Sequence, residues 1–353
     1  MKTDISKAST QQGFSLIELM IAMVIGLVLI GGVIGIFLTT QQTNRTQEAM
    51  SRVQESGRIA LEILARDIRE SGQFACTGDI NNLLDPTVSD YPDFFFDDMN
   101  PFVAPPAIGN NVANSDILGL NRFGSQGTFT VGNPSGGGGG GGNVSQQIQI
   151  QPAHTLERCQ LMMVVGPTGT QCEIFSNNVN SSVQVGRSPG NCESYRNLSP
   201  SDVNRELVDY PVGEEIELFN VLTRSYFIAN SDYNNVRSLF RSSDPLTTDD
   251  DDIAVEELVE GIFEMRIEFG EDTSGDGHPD RFVSANALGA NPNWGRFVSV
   301  RIHLLAYSGE LDNVVDAPQV VTFAGQQRNM PDRRLYHPFT TTISVRNARP
   351  EVN

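Results

Sequence analysis

An apolar run over residues 19–38 contains no charged residue and lies close to the start of the chain. About 20 consecutive apolar residues form a helix long enough to cross the hydrocarbon core of a bilayer. A water-soluble domain has no stable way to present such a surface, so the run predicts a membrane-spanning segment over about residues 16–38. What stands before it narrows the reading. Residues 1–12 are polar, with Lys2 and Lys7, and Gly13-Phe14-Ser15-Leu16-Ile17-Glu18 follows. A secretory signal carries its cleavage site after the apolar region. Here the candidate site precedes the apolar run, so cleavage would leave the helix on the mature chain. The two lysines place the leader in the cytoplasm and residues beyond about 40 outside the inner membrane.

Glu18 is the odd residue at this edge. A carboxylate in a spanning helix costs roughly 2–3 kcal/mol, so it marks a functional position unless it simply rests in the headgroup layer. The string from Gly13 to Glu18 resembles the class III leader of type IV pilins and type II secretion pseudopilins. The resemblance implies cleavage between Gly13 and Phe14 by a membrane aspartyl prepilin peptidase, and N-methylation of Phe14 by the same enzyme. It also implies that Glu18, the fifth mature residue, neutralises the amino terminus of a neighbouring subunit in a filament. Each of those charges would be costly alone in an apolar core.

Residues 48–70 hold no proline and one glycine. Met50, Val53, Gly57, Ala60, Leu61, Leu64 and Ile68 recur at three- and four-residue steps and form one apolar stripe. Arg52, Glu55, Arg58, Glu62, Arg66 and Glu70 occupy the polar positions, and Ser71-Gly72 ends the pattern. One helix over residues 14–72 is therefore expected, its outer half laid against a β-sheet, as the pilin resemblance also implies. Major pilins carry a proline at the twenty-second mature residue, where this chain has Gly35. Gly31, Gly32 and Gly35 would either loosen the helix or form a small-residue contact face.

The head, residues 73–353, reads as loops and short strands. Residues 117–120, 156–165, 215–222, 225–229, 236–241, 262–269, 297–307 and 339–346 fit strands, so the predicted class is α+β with a mostly antiparallel sheet. Seven glycines at 136–142 form a flexible loop; no Lys-Ser/Thr follows to make a phosphate cradle. The late order is a strand over 262–269, an acidic loop, a long strand, then Thr340-Thr341-Thr342-Ile343-Ser344-Val345-Arg346-Asn347. It resembles the PilW family of minor pilins. Nothing is carried over to residues 75–255.

Cys76, Cys159, Cys172 and Cys192 form no CxxC pair. On an exported chain they fit two disulfides, expected as Cys76–Cys159 and Cys172–Cys192; the alternative is four buried thiols. Asp272, Ser274, Asp276, His278 and Asp280 alternate around Gly277 like the first positions of an EF-hand loop, with Val283 where the bidentate Glu would stand. Weak calcium binding or an ordinary acidic β-turn both fit. The run 249–252 of four Asp reads as a solvated loop.

A net charge of −19 opposes nucleic acid and anionic headgroups. No GxSxG, HExxH or Walker A sequence occurs, and the four histidines are scattered, so no enzyme is expected and no cofactor is required beyond possible calcium. The resemblance implies a minor pilin in type IV pilus assembly and priming, at or near the tip, supporting twitching motility. Its partners would be the prepilin peptidase, other minor pilins, the major pilin and the inner-membrane assembly platform. It would be a single-pass inner-membrane protein with a periplasmic head, reaching the cell surface on assembly. A minor pseudopilin of type II secretion and a tip adhesin are the alternatives.

Overall fold

A computed structural model describes residues 15–72, 76, 80–85, 102–103, 111–133, 146–189, 192, 196–198, 207–244, 254–289 and 292–345. The leader, Phe14, the glycine run 136–142, the aspartate run 249–252 and the Arg346-Asn347 ending lie outside these residues.

Residues Leu16–Glu70 form a single helix, α1, about 80 Å long at 1.5 Å per residue. It ends where the stripe ends. Ser71 Oγ and Ser71 N–H both donate to Ile68 O, and Gly72 takes a left-handed φ of 64°. The strands that follow are β1 (Ile80–Asn82), β2 (Phe102–Val103), β3 (Leu118–Val131), β4 (Gln147–Gln151), β5 (Leu161–Val165), β6 (Cys172–Ser176), β7 (Gln184–Gly186) and β8 (Glu215–Asn230). Then come β9 (Arg237–Asp244), β10 (Ala254–Glu260), β11 (Ile262–Glu271), β12 (Arg281–Ser284), β13 (Phe297–Tyr307), β14 (Val320–Phe323), β15 (Gln326–Asn329) and β16 (Tyr336–Ser344).

They form a large sheet, β1-β6-β5-β8-β3-β4-β7, with β2 on β3 and β9 joining β8 to β10. A four-stranded sheet, β12-β11-β13-β16, and the β14–β15 hairpin complete the head. Only β1–β6 is parallel among the described pairs; the rest are antiparallel. The expected α+β architecture is the observed one. The long strand 297–307 has the bounds its alternation predicts, whereas 215–222 and 225–229 are one strand, β8. The strand expected over 156–165 starts only at Leu161, because Cys159 adopts a left-handed φ of 64° that no ladder accommodates.

Two long strands divide the head into two lobes. β3 and β8 pair from Leu118↔Tyr226 to Thr130↔Glu215. At one end Leu118, Leu120, Tyr226 and Ile228 join α1 and the four-stranded sheet in one core, with Met265, Val300, Ile302, Leu304 and Ile343. At the other end Phe129, Val131, Ile216 and Leu218 join β4, β5 and β7 in a second core. A third core, with Leu161, Met163, Ile174, Phe219 and Val221, covers the opposite side of β5 and β6.

Both disulfides belong to the second lobe, and their pairing differs from the expected one. Cys76 bonds Cys172, and Cys159 bonds Cys192. The cause is the parallel β1–β6 register, Ile80↔Cys172, which carries the segment just before β1 to the start of β6. Local loop closure would have favoured Cys172–Cys192, but β6 turns away into the sheet. Cys159 instead donates its N–H to Asn177 O at 2.6 Å, beside the chain that returns through Cys192. The same lobe holds a fully buried ion pair, Glu173 with Arg187. Asn81 Nδ2 at 2.9 Å and the Val208 N–H at 2.7 Å donate to the same carboxylate. Burial pushes the Glu173 carboxyl up, and Arg187 opposes that rise.

Candidate assembly site

The two halves of α1 have opposite surroundings. Every large apolar side chain from Leu16 to Leu38 is more than half exposed, and the most apolar window is not buried against the chain at all. By length and composition this half can cross a membrane. Glu18 is exposed in the first turn, where a carboxylate next to the positive end of a helix gains roughly 0.3–1 kcal/mol. The helix passes Gly31, Gly32 and Gly35 without interruption, and a Cβ added at any of them meets nothing within 4 Å. This face is open to close approach by another helix.

The outer half is docked. Gln42 Nε2 donates to Val314 O at 2.8 Å, and the Thr46 hydroxyl reaches the same oxygen at 3.3 Å. Ala49, Val53, Gly57, Ala60, Leu64 and Ile68 are then buried against β16, β13, β10 and β3. The stripe read from the sequence is therefore the buried face, with Met50 and Leu61 at its margins. Fully burying a Val, Leu or Ile contributes roughly 1.5–3 kcal/mol each, so this apolar seam outweighs any one polar contact within it. Gly57 is required by space. A Cβ there would stand 2.3 Å from Phe339 Cε2, so the ring of β16 lies directly on the helix backbone.

Asp67 is a buried charge on this face that the apolar stripe did not reveal. It is buried, and Arg224 Nη1 contacts its Oδ2 at 2.8 Å. Arg122 Nη1 stands 3.5 Å and Arg241 Nη1 3.7 Å from its carboxylate, and the Tyr226 hydroxyl donates to it. Burial, then the Asp67 charge, pushes the Tyr226 phenol far up, so it stays a donor. Three guanidiniums from β3, β8 and β9 thus converge on one carboxylate of α1. The signal was present: Asp67 stands three residues after Leu64 and seven after Ala60, on the apolar face rather than the polar one.

The loop with the expected calcium ligands links β11 to β12 and folds on itself. Asp272 Oδ1 accepts the N–H groups of Ser274 and Gly275, and Oδ2 accepts that of Gly277 at 2.7 Å. Asp280 Oδ2 accepts the Thr273 hydroxyl and N–H, both at 2.7 Å, and Asp276 Oδ1 accepts the His278 N–H at 2.8 Å. The Thr273 hydroxyl and N–H hold the Asp280 carboxyl below the usual range. Burial works against the Asp272 charge, but the N–H groups of Gly277 and Gly275 outweigh it and hold that carboxyl low as well. The oxygens that would ligate calcium are aimed at the loop's own backbone. Among the described residues no group of three or more His, Cys, Asp and Glu could hold a metal. The expected set of Asp272, Ser274, Asp276, His278 and Asp280 lies along this one turn, whose carboxylates cap the loop's own backbone.

No thiol nucleophile remains, since all four cysteines are paired. His154 Nε2 is bonded to Gln184 O at 2.8 Å, and His303 Nδ1 to the Thr340 hydroxyl at 2.9 Å. What the described residues present outward is an uncovered apolar half-helix whose other half is docked on the head.

Two family models match this chain. Residues 8–34 match the prokaryotic N-terminal methylation motif. Residues 225–347 match type IV pilus-assembly protein W, PilW. No curated protein and no solved structure matches it. The methylation motif on an N-terminal apolar helix supports a membrane-anchored pilin. The match in the head supports a type IV pilus-assembly pilin, and the two findings together are consistent with a minor pilin of the PilW family. That family is one of structural assembly proteins.

Proposed function

We propose that this chain is a minor pilin that is cleaved between Gly13 and Phe14, methylated at Phe14, and built into a type IV pilus during priming, at or near its tip. The observation that carries the reading is the division of α1. Its first half, from Leu16, has no cover from its own head, while its second half is buried in it. Before assembly the bilayer covers the first half, and in a filament the apolar helices of other pilins replace the lipid. Glu18 would then meet the amino terminus of a neighbouring subunit, each charge lowering the cost of burying the other. The inner membrane would hold the chain with its head in the periplasm, in contact with the prepilin peptidase, other pilins and the assembly platform. A head of this size suits the tip, where bulk need not fit a helical lattice. Calcium has no part in this reading.

The test is genetic and biochemical. Gly13→Leu should leave an uncut precursor in the membrane fraction, and deletion of the chain should reduce surface pili and twitching. Unchanged processing by mass spectrometry would remove the cleavage claim. Normal piliation with blocked exoprotein release would assign the chain to type II secretion instead.

A further inference from the structure

A polar pocket of about 580 Å³ opens where the β8–β9 turn meets the ends of β13 and β16, far in sequence from the leader and the membrane helix. Its size is in the range that holds small molecules, but most such pockets are apolar. This one is walled by three asparagines, Asn230, Asn234 and Asn235, by Arg237 and Arg334, and by carboxylates at Glu310 and Asp332. The guanidiniums are fixed. Arg237 lies 4.0 Å over the Phe263 ring and donates to Phe263 O at 3.1 Å. Arg334 donates to Gly309 O at 2.7 Å and to Asp332 at 2.6 Å, and Asp332 is held in turn by the Tyr336 hydroxyl at 3.0 Å.

The turn that carries the asparagines is fixed too. The Ser231 N–H donates to Val236 O at 2.8 Å, and Asn234 Oδ1 accepts the Val236 N–H at 3.0 Å. Asn235 holds a left-handed φ of 57°. Groups still open to a ligand are the amides of Asn230 and Asn235, Nδ2 of Asn234 and the Glu310 carboxylate, none with a side-chain partner among the described residues. The rings of Phe263 and Tyr307 line the floor of the pocket but are already covered by Arg237 and Arg334.

We infer that this pocket binds a neutral saccharide. A sugar hydroxyl donates and accepts at once, so it pairs with amides and carboxylates that a purely apolar or purely ionic ligand leaves unmet. The two guanidiniums and two carboxylates balance, which gives neither a phosphate nor a polyamine a net attraction. Fixed walls lower the ordering cost of binding. This inference does not depend on filament assembly; it requires only the head.

The experiment uses the full-length chain in a detergent without a sugar headgroup. Saturation-transfer NMR would be run with the methyl glycosides of glucose, galactose, mannose and N-acetylglucosamine, with inorganic phosphate and glycine added as ionic competitors whose binding is read by displacement of the glycoside and, for glycine, directly. At least one glycoside should give a signal. Glu310→Ala with Asn230→Ala should weaken its Kd by about tenfold, the size of losing one or two hydrogen bonds. Both positions are exposed, so the fold should be unaffected, which circular dichroism checks. No signal from any glycoside, a signal that survives both substitutions unchanged, or binding by phosphate or glycine in place of the glycosides would each overturn the inference. None of these outcomes bears on cleavage at Gly13 or on piliation.

Discussion

The two lobes of the head reach stability by different means. The lobe matched by the PilW model has no disulfide; it is clamped by α1, through the seam from Ala49 to Ile68 and the Asp67 cluster. The other lobe touches α1 little and carries both disulfides and the buried Glu173–Arg187 pair. The lesson is that a sheet with a helix across it has enough apolar surface to close its own core. A sheet without one needs covalent closure or an interior ion pair to fix its register. The ion pair is the weaker device, since a buried pair's desolvation offsets most of its attraction.

The strongest way to break the contrast is to remove Cys76–Cys172, which closes a loop with a sequence separation of 96. Cys76→Ser with Cys172→Ser should cost about 4–5 kcal/mol on the chain-entropy scale. Hydrogen exchange should rise across β1, β5 and β6 while α1 and β13 keep their protection. Equal loss in both lobes would show that the division is not energetic.

Asp67→Ala tests the other lobe. It leaves three guanidiniums and the Tyr226 phenol facing a partly buried gap, a change that costs roughly 3–5 kcal/mol when a buried pair loses one member. Denaturant unfolding should show this loss, and trypsin should cut the outer half of α1 faster. Asp67→Asn should lose less, since it keeps an acceptor.

Gly57 sharpens the picture by size alone. Gly57→Ala gains about 1 kcal/mol of helix propensity and loses about 1–3 to overpacking against Phe339, so it should lower stability by up to about 2 kcal/mol. Gly57→Leu should lie at or beyond the upper end of that overpacking cost. A Phe339→Ala background should recover much of the loss.

The smallest effect concerns pH. The Asp272 and Asp280 carboxyls are held low in the folded loop, so their contribution is present above the unfolded value of about 4 and is lost as pH falls through the folded values. Amide exchange at Thr273, Ser274, Gly275 and Gly277, corrected for intrinsic rates, should show protection falling below about pH 4 with the core unaltered.

Much of the helix-clamped lobe was legible in the sequence. The stripe in α1 is a local pattern, and its periodicity states which face is buried; the extent of the strand 297–307 was legible too, but not that nearly all of it, on both faces, is buried. The disulfide lobe was less legible because its decisive contacts are not local. Nothing in the spacing of Cys76 and Cys172 reveals a parallel pairing of Ile80 with Cys172. Asp67 was hidden for another reason. A charge in a helix is read as surface unless its phase is checked against the apolar stripe. The acidic stretch at 272–280 was legible as a turn but not as to its ligand, because alternating aspartates serve calcium and backbone N–H groups equally well.

β3 and β8 thread both lobes, and this sets how the molecule would bear load. A pull along α1 enters the head as shear spread over the docked seam, where many contacts must slip together. The second lobe receives that pull through the ladder between two strands of 14 and 16 residues and through Cys76, just past the end of α1, which is bonded to Cys172 of β6. Its cross-links then limit how far it can stretch. Tension on α1 thus reaches the far end by a covalent route as well as through the sheet, and the two cross-links let that surface keep its shape while the seam takes the shear.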